Sequence, residues 1–225
     1  MELRVKVKKR LLAFVLEADF ILPFGQVLVI FGPSGSGKTT LLRILAGLER
    51  PDSGLIHLGK EVFVDTEAGL FRPARKRSVS LVFQEGILFP HLTLEENISL
   101  VARDEGEGKD YLRALGLWDL RKRKPWQVSG GERQRAALAQ ALARQPSLLL
   151  MDEPFSALDE ITKSRVLDFL KDFHKQHRTT MVVVTHQWEE KIFSPLWLYV
   201  NQGKFRPPRD AKKFLLGPCP PPELP

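Results

Sequence analysis

One stretch limits what this chain can fold into: Gly32-Pro33-Ser34-Gly35-Ser36-Gly37-Lys38-Thr39-Thr40 follows the apolar run Val27 to Phe31 and precedes the helix-forming Leu41-Leu42-Arg43-Ile44-Leu45-Ala46. Triphosphate oxygens need many N–H donors at short range. Glycines and serines let the backbone approach them, and the helix that follows directs its N-terminal dipole at the anion. The spacing is GxxxxGK[ST] between a strand and a helix, so Lys38 is expected to meet the β- and γ-phosphates and Thr39 to hold Mg²⁺. A parallel α/β sheet is the architecture that presents such a loop at its strand ends.

The rest of the chain supports an alternating β/α pattern. Leu3, Val5 and Val7 alternate with charged residues, and Leu11 to Leu22 reads as a second extended stretch, so an antiparallel β-pair opens the chain. Gly47 suits the end of the helix after the phosphate loop. Pro51-Asp52-Ser53-Gly54 reads as a turn, and Leu55-Ile56-His57-Leu58 and Glu61-Val62-Phe63-Val64 flank Gly59-Lys60 as a hairpin continuing the opening sheet. Arg72 to Arg77 reads as a solvated basic loop before the strand Val79 to Phe83. Thr93 with Glu96 forms a capping signal, Gly106 and Gly108 interrupt the pattern, and Lys109 to Leu115 forms a short helix. Ser129 caps a helix from Glu132 to Arg144, rich in alanine. Leu148 to Met151 reads as a buried strand, Glu160 to His177 as a helix, and Met181 to Thr185 and Trp197 to Val200 as further strands.

At 225 residues, one α/β domain with an embedded subdomain is expected. The expected division is an α/β core at 1–85 and 145–205 that includes the antiparallel strands, a helical insertion at 86–144, and a proline-rich tail at 206–225. Cys219 is the only cysteine, which excludes an internal disulfide and fits a reducing compartment. The first ten residues alternate apolar and charged side chains, unlike a signal peptide, and no run of apolar residues is long enough to span a bilayer. The net charge of +7 suits nucleic acid or an anionic membrane surface, yet a diffuse surplus also serves simple solvation.

A phosphate loop alone leaves kinases, GTPases and motor ATPases open. Asp152, at the end of the run Leu148 to Met151, falls at a strand's C-terminal edge, where a carboxylate can bind Mg²⁺ through water. Glu153 follows it directly and suits a general base that activates water, which favours hydrolysis over transfer to a second substrate.

Val128-Ser129-Gly130-Gly131-Glu132-Arg133-Gln134-Arg135 is similar to the signature motif of the ATP-binding cassette ATPases. Gln84 in a Val-Phe-Gln turn, Ser156-Ala157-Leu158-Asp159 and His186 after Thr185 resemble further motifs of that family, in order and over nearly the whole chain. The resemblance implies a P-loop NTPase core of the RecA-like kind with an N-terminal antiparallel β subdomain and an inserted helical subdomain. It implies two copies of the chain facing head to tail, with each ATP held by the phosphate loop of one and by Ser129, Gly130 and Gly131 of the other. It further implies that His186 holds the γ-phosphate, Gln84 reaches Mg²⁺ and the attacking water, and Asp159 couples the two sites. Val128 and Glu132 depart from the family's usual Leu and Gln. The family also stacks adenine on an aromatic residue in the opening hairpin, and the spacing here points nearer Leu11 or Leu12 than Phe14.

Phe89-Pro90-His91-Leu92-Thr93 resembles the importer ATPase subunits, and Gly59 through Gln84 is most similar to the molybdate/tungstate importer ATPases. That resemblance implies a peripheral subunit on the cytoplasmic face of the membrane, bound to permease subunits and served indirectly by an extracytoplasmic solute-binding protein. Sulfate, iron, polyamine and thiamine importers share much of it. A soluble cassette ATPase of DNA repair or the ribosome is the alternative. It is disfavoured by a single cassette without sustained heptads, so no nucleic-acid partner is expected. No regulatory β domain is expected after the last strands, and direct inhibition by the transported anion is therefore not expected either.

Overall fold

The computed structural model describes residues 2–186 and 196–206. It divides into two compact units, Met1–Arg77 with the chain from Thr180 onward, and Ser78–Thr179. Both units mix helices with strands, as the α/β reading requires. The proline-rich tail lies outside the described residues.

In the first unit, β1 (Glu2–Arg10) and β2 (Val15–Pro23) pair antiparallel from Glu2↔Pro23 to Arg10↔Val15. The apolar run beginning at Leu11 does not start the second strand, because the N–H of Leu11 donates to the Phe14 carbonyl at 2.9 Å and residues 11–14 form the hairpin turn. Leu3, Val5 and Val7 alternate inward as their spacing demands and are at most 2 % exposed. On the other edge of β1 lies β4 (Ser53–Leu58), followed by β5 (Glu61–Asp65) and β6 (Leu70–Phe71). Ser53 and Gly54 belong to β4 rather than to the expected turn, because their backbone pairs with Lys8 and Val7 of β1.

The parallel part of the unit holds β3 (Val27–Phe31) between β9 (Thr180–Thr185) and β10 (Leu196–Asn201). All five residues of β3 are buried, which explains a run without alternation. A tight hairpin returns the chain from β10 into β11 (Lys204–Arg206), which lies alongside β2 at Lys204↔Glu17 and joins the two parts of the sheet. Helix α1 (Lys38–Ala46) buries Leu41, Leu42, Ile44 and Leu45 completely, each worth roughly 1.5–3 kcal/mol. It ends at Gly47 in the left-handed conformation, as expected.

The basic run before β7 corrects the sequence reading. Arg77 is not solvated: it is 1 % exposed and among the most buried large side chains of the described residues. Its Nε donates to the Arg72 carbonyl at 2.7 Å, and Nη1 donates to Ile44 and Leu45 at 2.9 and 2.7 Å. Nη2 reaches the Phe63 carbonyl at 3.4 Å, and the guanidinium lies over the rings of Phe63 and Phe71. The carbonyls at the end of α1 supply partners that a charge count cannot reveal.

In the second unit, β7 (Val79–Val82) pairs parallel with β8 (Leu148–Asp152), all of whose residues are buried. Helix α2 (Leu94–Ser99) starts from Thr93 and Glu96 in the expected capping box. Helix α3 (Glu105–Ala114) begins earlier than expected and runs through Gly106 and Gly108. Asp104 caps it by accepting from the Glu107 N–H, and a Cβ on Gly108 would meet Ile98 at 3.0 Å, a tight contact. Helix α4 (Gly130–Ala143) likewise starts before Glu132, directly after its cap Ser129, and Ala136, Ala139, Ala141 and Ala143 are buried. Helix α5 (Glu160–His177) has the bounds read from the sequence.

Candidate active site

Each unit carries its own group of the residues singled out above. In the first unit, β3 ends at Phe31 and the loop from Gly32 to Gly37 leads into α1. Gly37 caps α1 at φ 101°, a conformation open to glycine and costly for other residues, and no side chain caps the helix. The start of the helix is thus not closed by a side chain. Ser36 is 3 % exposed, and its Oγ has no hydrogen-bond partner among the described residues. Lys38 is 5 % exposed and donates through Nζ to the carbonyls of Gly32 and Pro33 at 2.8 and 2.9 Å. Pro33, Ser34, Gly35 and Thr39 are exposed and Thr40 is half-buried. A cradle of donors with a buried cation and an orphaned hydroxyl fits a polyphosphate anion.

His186 follows β9, whose Thr185 pairs with Phe31 in parallel register, so His186 and Gly32 each stand one residue beyond neighbouring strand ends. His186 is exposed. In the opening hairpin, Phe14 lies nearest the loop among the residues at 11–14. Leu12 is fully exposed and Leu11 only half-buried, whereas Phe14 reaches the loop: its Cε2 lies 3.5 Å from where a Cβ on Gly37 would stand. The turn at 11–14 brings Phe14 against Gly37, a contact that spacing along the chain does not show.

In the second unit, Asp152 is buried at the end of β8, 6 % exposed. Glu153 adopts φ 46°, in the left-handed region that non-glycine residues seldom enter. Its Oε2 accepts from Gln84 Nε2 at 3.4 Å, at the long end of the hydrogen-bond range. Its carbonyl accepts from Ser156 Oγ at 3.0 Å and from Gln134 Nε2 at 2.9 Å. The structure thus brings Gln84 and Glu153 together, and adds Gln134, a residue that the sequence reading quoted without a role. Asp159 caps α5, accepting from the Thr162 N–H at 3.0 Å, and this bond is the main cause that holds its carboxyl below the usual range.

The signature segment is a helix start. Ser129 Oγ accepts from the Glu132 N–H at 3.2 Å, and Glu132 Oε2 accepts from the Ser129 N–H at 2.7 Å. Glutamate closes this reciprocal box as well as glutamine does, which accounts physically for the departure at position 132. That backbone bond is the leading reason the Glu132 carboxyl lies below its ordinary range. Ser129 and Gly130 are exposed and Gly131 is half-buried.

A family model described as ABC transporter matches residues 15–156. The molybdenum import ATP-binding protein ModC of Mesorhizobium japonicum is 40 % identical over 196 residues, covering 84 % of this chain and 53 % of the relative. ModC of Rhizobium etli is 43 % identical, with coverage of 84 % and 55 %. The trehalose/maltose import ATP-binding protein MalK of Thermococcus litoralis is 41 % identical over 176 residues, with coverage of 75 % and 47 %. The chain spans about half the length of the curated relatives it matches. Among solved structures, a dimeric ATP-binding cassette in a post-hydrolysis state, bound to ADP and phosphate, superposes with a TM-score of 0.75 at 29 % identity, covering 91 % of this chain and 96 % of that one. With its phosphate loop, strand-end carboxylates and capped signature helix, the chain belongs to the ABC transporter family.

Proposed function

We propose that this chain is the ATP-binding and ATP-hydrolysing subunit of an importer, and that two copies close head to tail on ATP to energise uptake of a small anion, molybdate or tungstate. The observation that carries the ATP reading is the phosphate loop itself, where Ser36 Oγ is buried without a partner beside an uncapped helix start. Residues 32–40 bind the phosphates, with Lys38 moving its ammonium from the Gly32 and Pro33 carbonyls to phosphate oxygens. Thr39, Asp152 and Gln84 all offer hard oxygen donors suited to Mg²⁺. That ion, when bound, supplies charge that offsets the charge developing on the phosphates. Glu153 orients and deprotonates the attacking water, Gln84 holds the Glu153 carboxylate, and His186 donates to the γ-phosphate. Ser129, Gly130 and Gly131 of the partner chain receive the same phosphate at the start of α4, and Asp159 contributes at the interface. Phe14 provides a face for the adenine. Residues 86–144, the helical insertion, carry the signature toward the partner.

The solute and the partners rest on similarity to the ModC proteins, whose printed role is molybdenum import. A MalK of comparable identity supports a second reading, an importer of another solute. Among the described residues no helix is long and apolar enough to cross a membrane, so the reading requires permease subunits, with this chain on their cytoplasmic face and a binding protein outside. The test is phosphate release from Mg-ATP. Glu153→Gln is expected to lower kcat by about a hundredfold or more, within the usual range for loss of a general base, while ATP still binds and a stable dimer elutes on gel filtration. Turnover within tenfold of the parent would remove Glu153 from this role. Molybdate uptake by vesicles holding the reconstituted complex tests the solute, and uptake of a different solute in its place supports the second reading.

A further inference from the structure

The start of α4, from Gly131 to Gln134, is held by segments far away in sequence. Gln134 is 1 % exposed, and its amide Nε2 donates to the carbonyl of Glu153 at 2.9 Å and reaches that of Gln84 at 3.5 Å. Its Oε1 has no partner among the described residues, so the amide's polar contacts lie on the Nε2 side. The turn after Gln84 presses on the same point, where a Cβ on Gly86 would stand 2.8 Å from the Gln134 nitrogen. A Cβ on Gly131 would stand 2.8 Å from the Ala157 carbonyl, so the signature glycine also packs on the segment that leads to Asp159. The backbone of Glu153 is itself in the left-handed region, which persists only when its surroundings hold it there.

We propose that Gln134 is a positioning residue that couples the two ATP sites of the dimer. The proposal rests on the head-to-tail reading above, in which Ser129–Gly131 of one chain serve the partner's nucleotide while Glu153 serves its own. Gln134 lies on the helix whose start receives the partner's γ-phosphate, and it grips the backbone of the acid that activates water in the other site. Seating a phosphate on that helix therefore fixes the aim of Glu153, and the two sites fill and fire together. A buried amide whose Nε2 faces two carbonyls suits this task, since losing it takes a donor from each of them and leaves the Glu153 carbonyl to Ser156, without its link to α4.

The experiment compares the parent with Gln134→Leu, which keeps apolar bulk and lacks the donor, and Gln134→Glu, which sets a carboxylate against two carbonyls. ATPase rates over a range of Mg-ATP, the affinity for a fluorescent ATP analogue and the melting temperature are measured for each. Both variants are expected to lose tenfold or more in kcat, to bind the analogue within twofold of the parent, and to show a Hill coefficient near one where the parent exceeds one. Combining Gln134→Leu with Glu153→Gln is expected to add little to the loss from Glu153→Gln alone. A kcat within twofold of the parent overturns the proposal. So does a loss that tracks analogue affinity or melting temperature across the variants, or a parent whose Hill coefficient is already one. A parent that releases no phosphate fails at an earlier step, overturning the ATPase reading and the coupling with it.

Discussion

Lys38 and Arg77 are two buried cations in one compact unit, both satisfied by backbone carbonyls, yet built for different ends. Lys38 touches two carbonyls of its own loop with a compact ammonium on a flexible stem. Arg77 spreads a planar fork over carbonyls of Arg72, Ile44, Leu45 and Phe63 and lies over two aromatic rings. The ammonium can rotate from one set of acceptors to another, whereas the guanidinium is committed by its geometry. A buried cation that can change partners serves a ligand, and one whose donors are all placed serves the fold. Both cations serve α1: Lys38 opens the helix beside the proposed phosphate seat, and Arg77, far along the chain, binds the Ile44 and Leu45 carbonyls at its other end.

The largest effect expected from this contrast is on stability. Arg77→Met keeps apolar bulk but takes the guanidinium donors from the Arg72, Ile44, Leu45 and Phe63 carbonyls, and should cost about 3–5 kcal/mol in chemical denaturation. Burial first, and the Arg72 charge second, push the Arg77 guanidinium down to about 10. Between that value and its unfolded one, the unfolded chain binds the extra proton, so this group makes stability rise with pH only in that alkaline window. At lower pH both states are protonated, and the difference between Arg77→Met and the parent should stay flat from pH 5 to pH 9. A slope in that range would break the comparison.

Lys38→Ala should act on the ligand instead. ATP affinity is expected to fall by about a hundredfold, or about 3 kcal/mol, through lost charge-assisted bonds to phosphate, while denaturant midpoints shift by less than a third of the Arg77→Met shift. Fluorescent-nucleotide titration beside the unfolding curves measures both. Equal stability losses from the two substitutions would show that the cations do the same work.

The smallest effect sharpens the contrast at another helix start. Glu132→Gln retains the box on Ser129 but removes a negative charge beside the proposed phosphate seat, so ATP-driven dimerisation should tighten by about threefold or less, measured by light scattering against ATP concentration. The folded carboxyl lies below its unfolded value, so its contribution is present above the ordinary carboxylate pKa and fades as pH falls through the folded one. The variant should therefore lose slightly less stability than the parent under acid.

Much of the site was legible because its chemistry is local. The phosphate loop, the acids after Leu148-Leu149-Leu150-Met151 and the boxes at Thr93 and Ser129 each depend on residues a few positions apart, and the structure builds each loop, strand and cap at those positions. Gly106 and Gly108 misled because helix propensity is a weak preference that the Asp104 cap and the contact with Ile98 override. Phe14, Gln134 and Arg77 were illegible for one reason: each acts on segments that the sequence does not place beside it.

The sequence by itself determined the ends of the polar chemistry: which glycine-rich loop joins β3 to α1, which strand ends in carboxylates, which serine starts the signature helix. Those features follow from backbone geometry and hydrogen bonding over less than one turn or strand. Only the tertiary structure decided that Arg77 closes α1, that Phe14 lies against Gly37, and that Gln134 grips Glu153 across nineteen positions of chain. A buried donor binds whichever carbonyl the packed chain brings within reach, and that partner is chosen by folding in three dimensions rather than by neighbours along the chain.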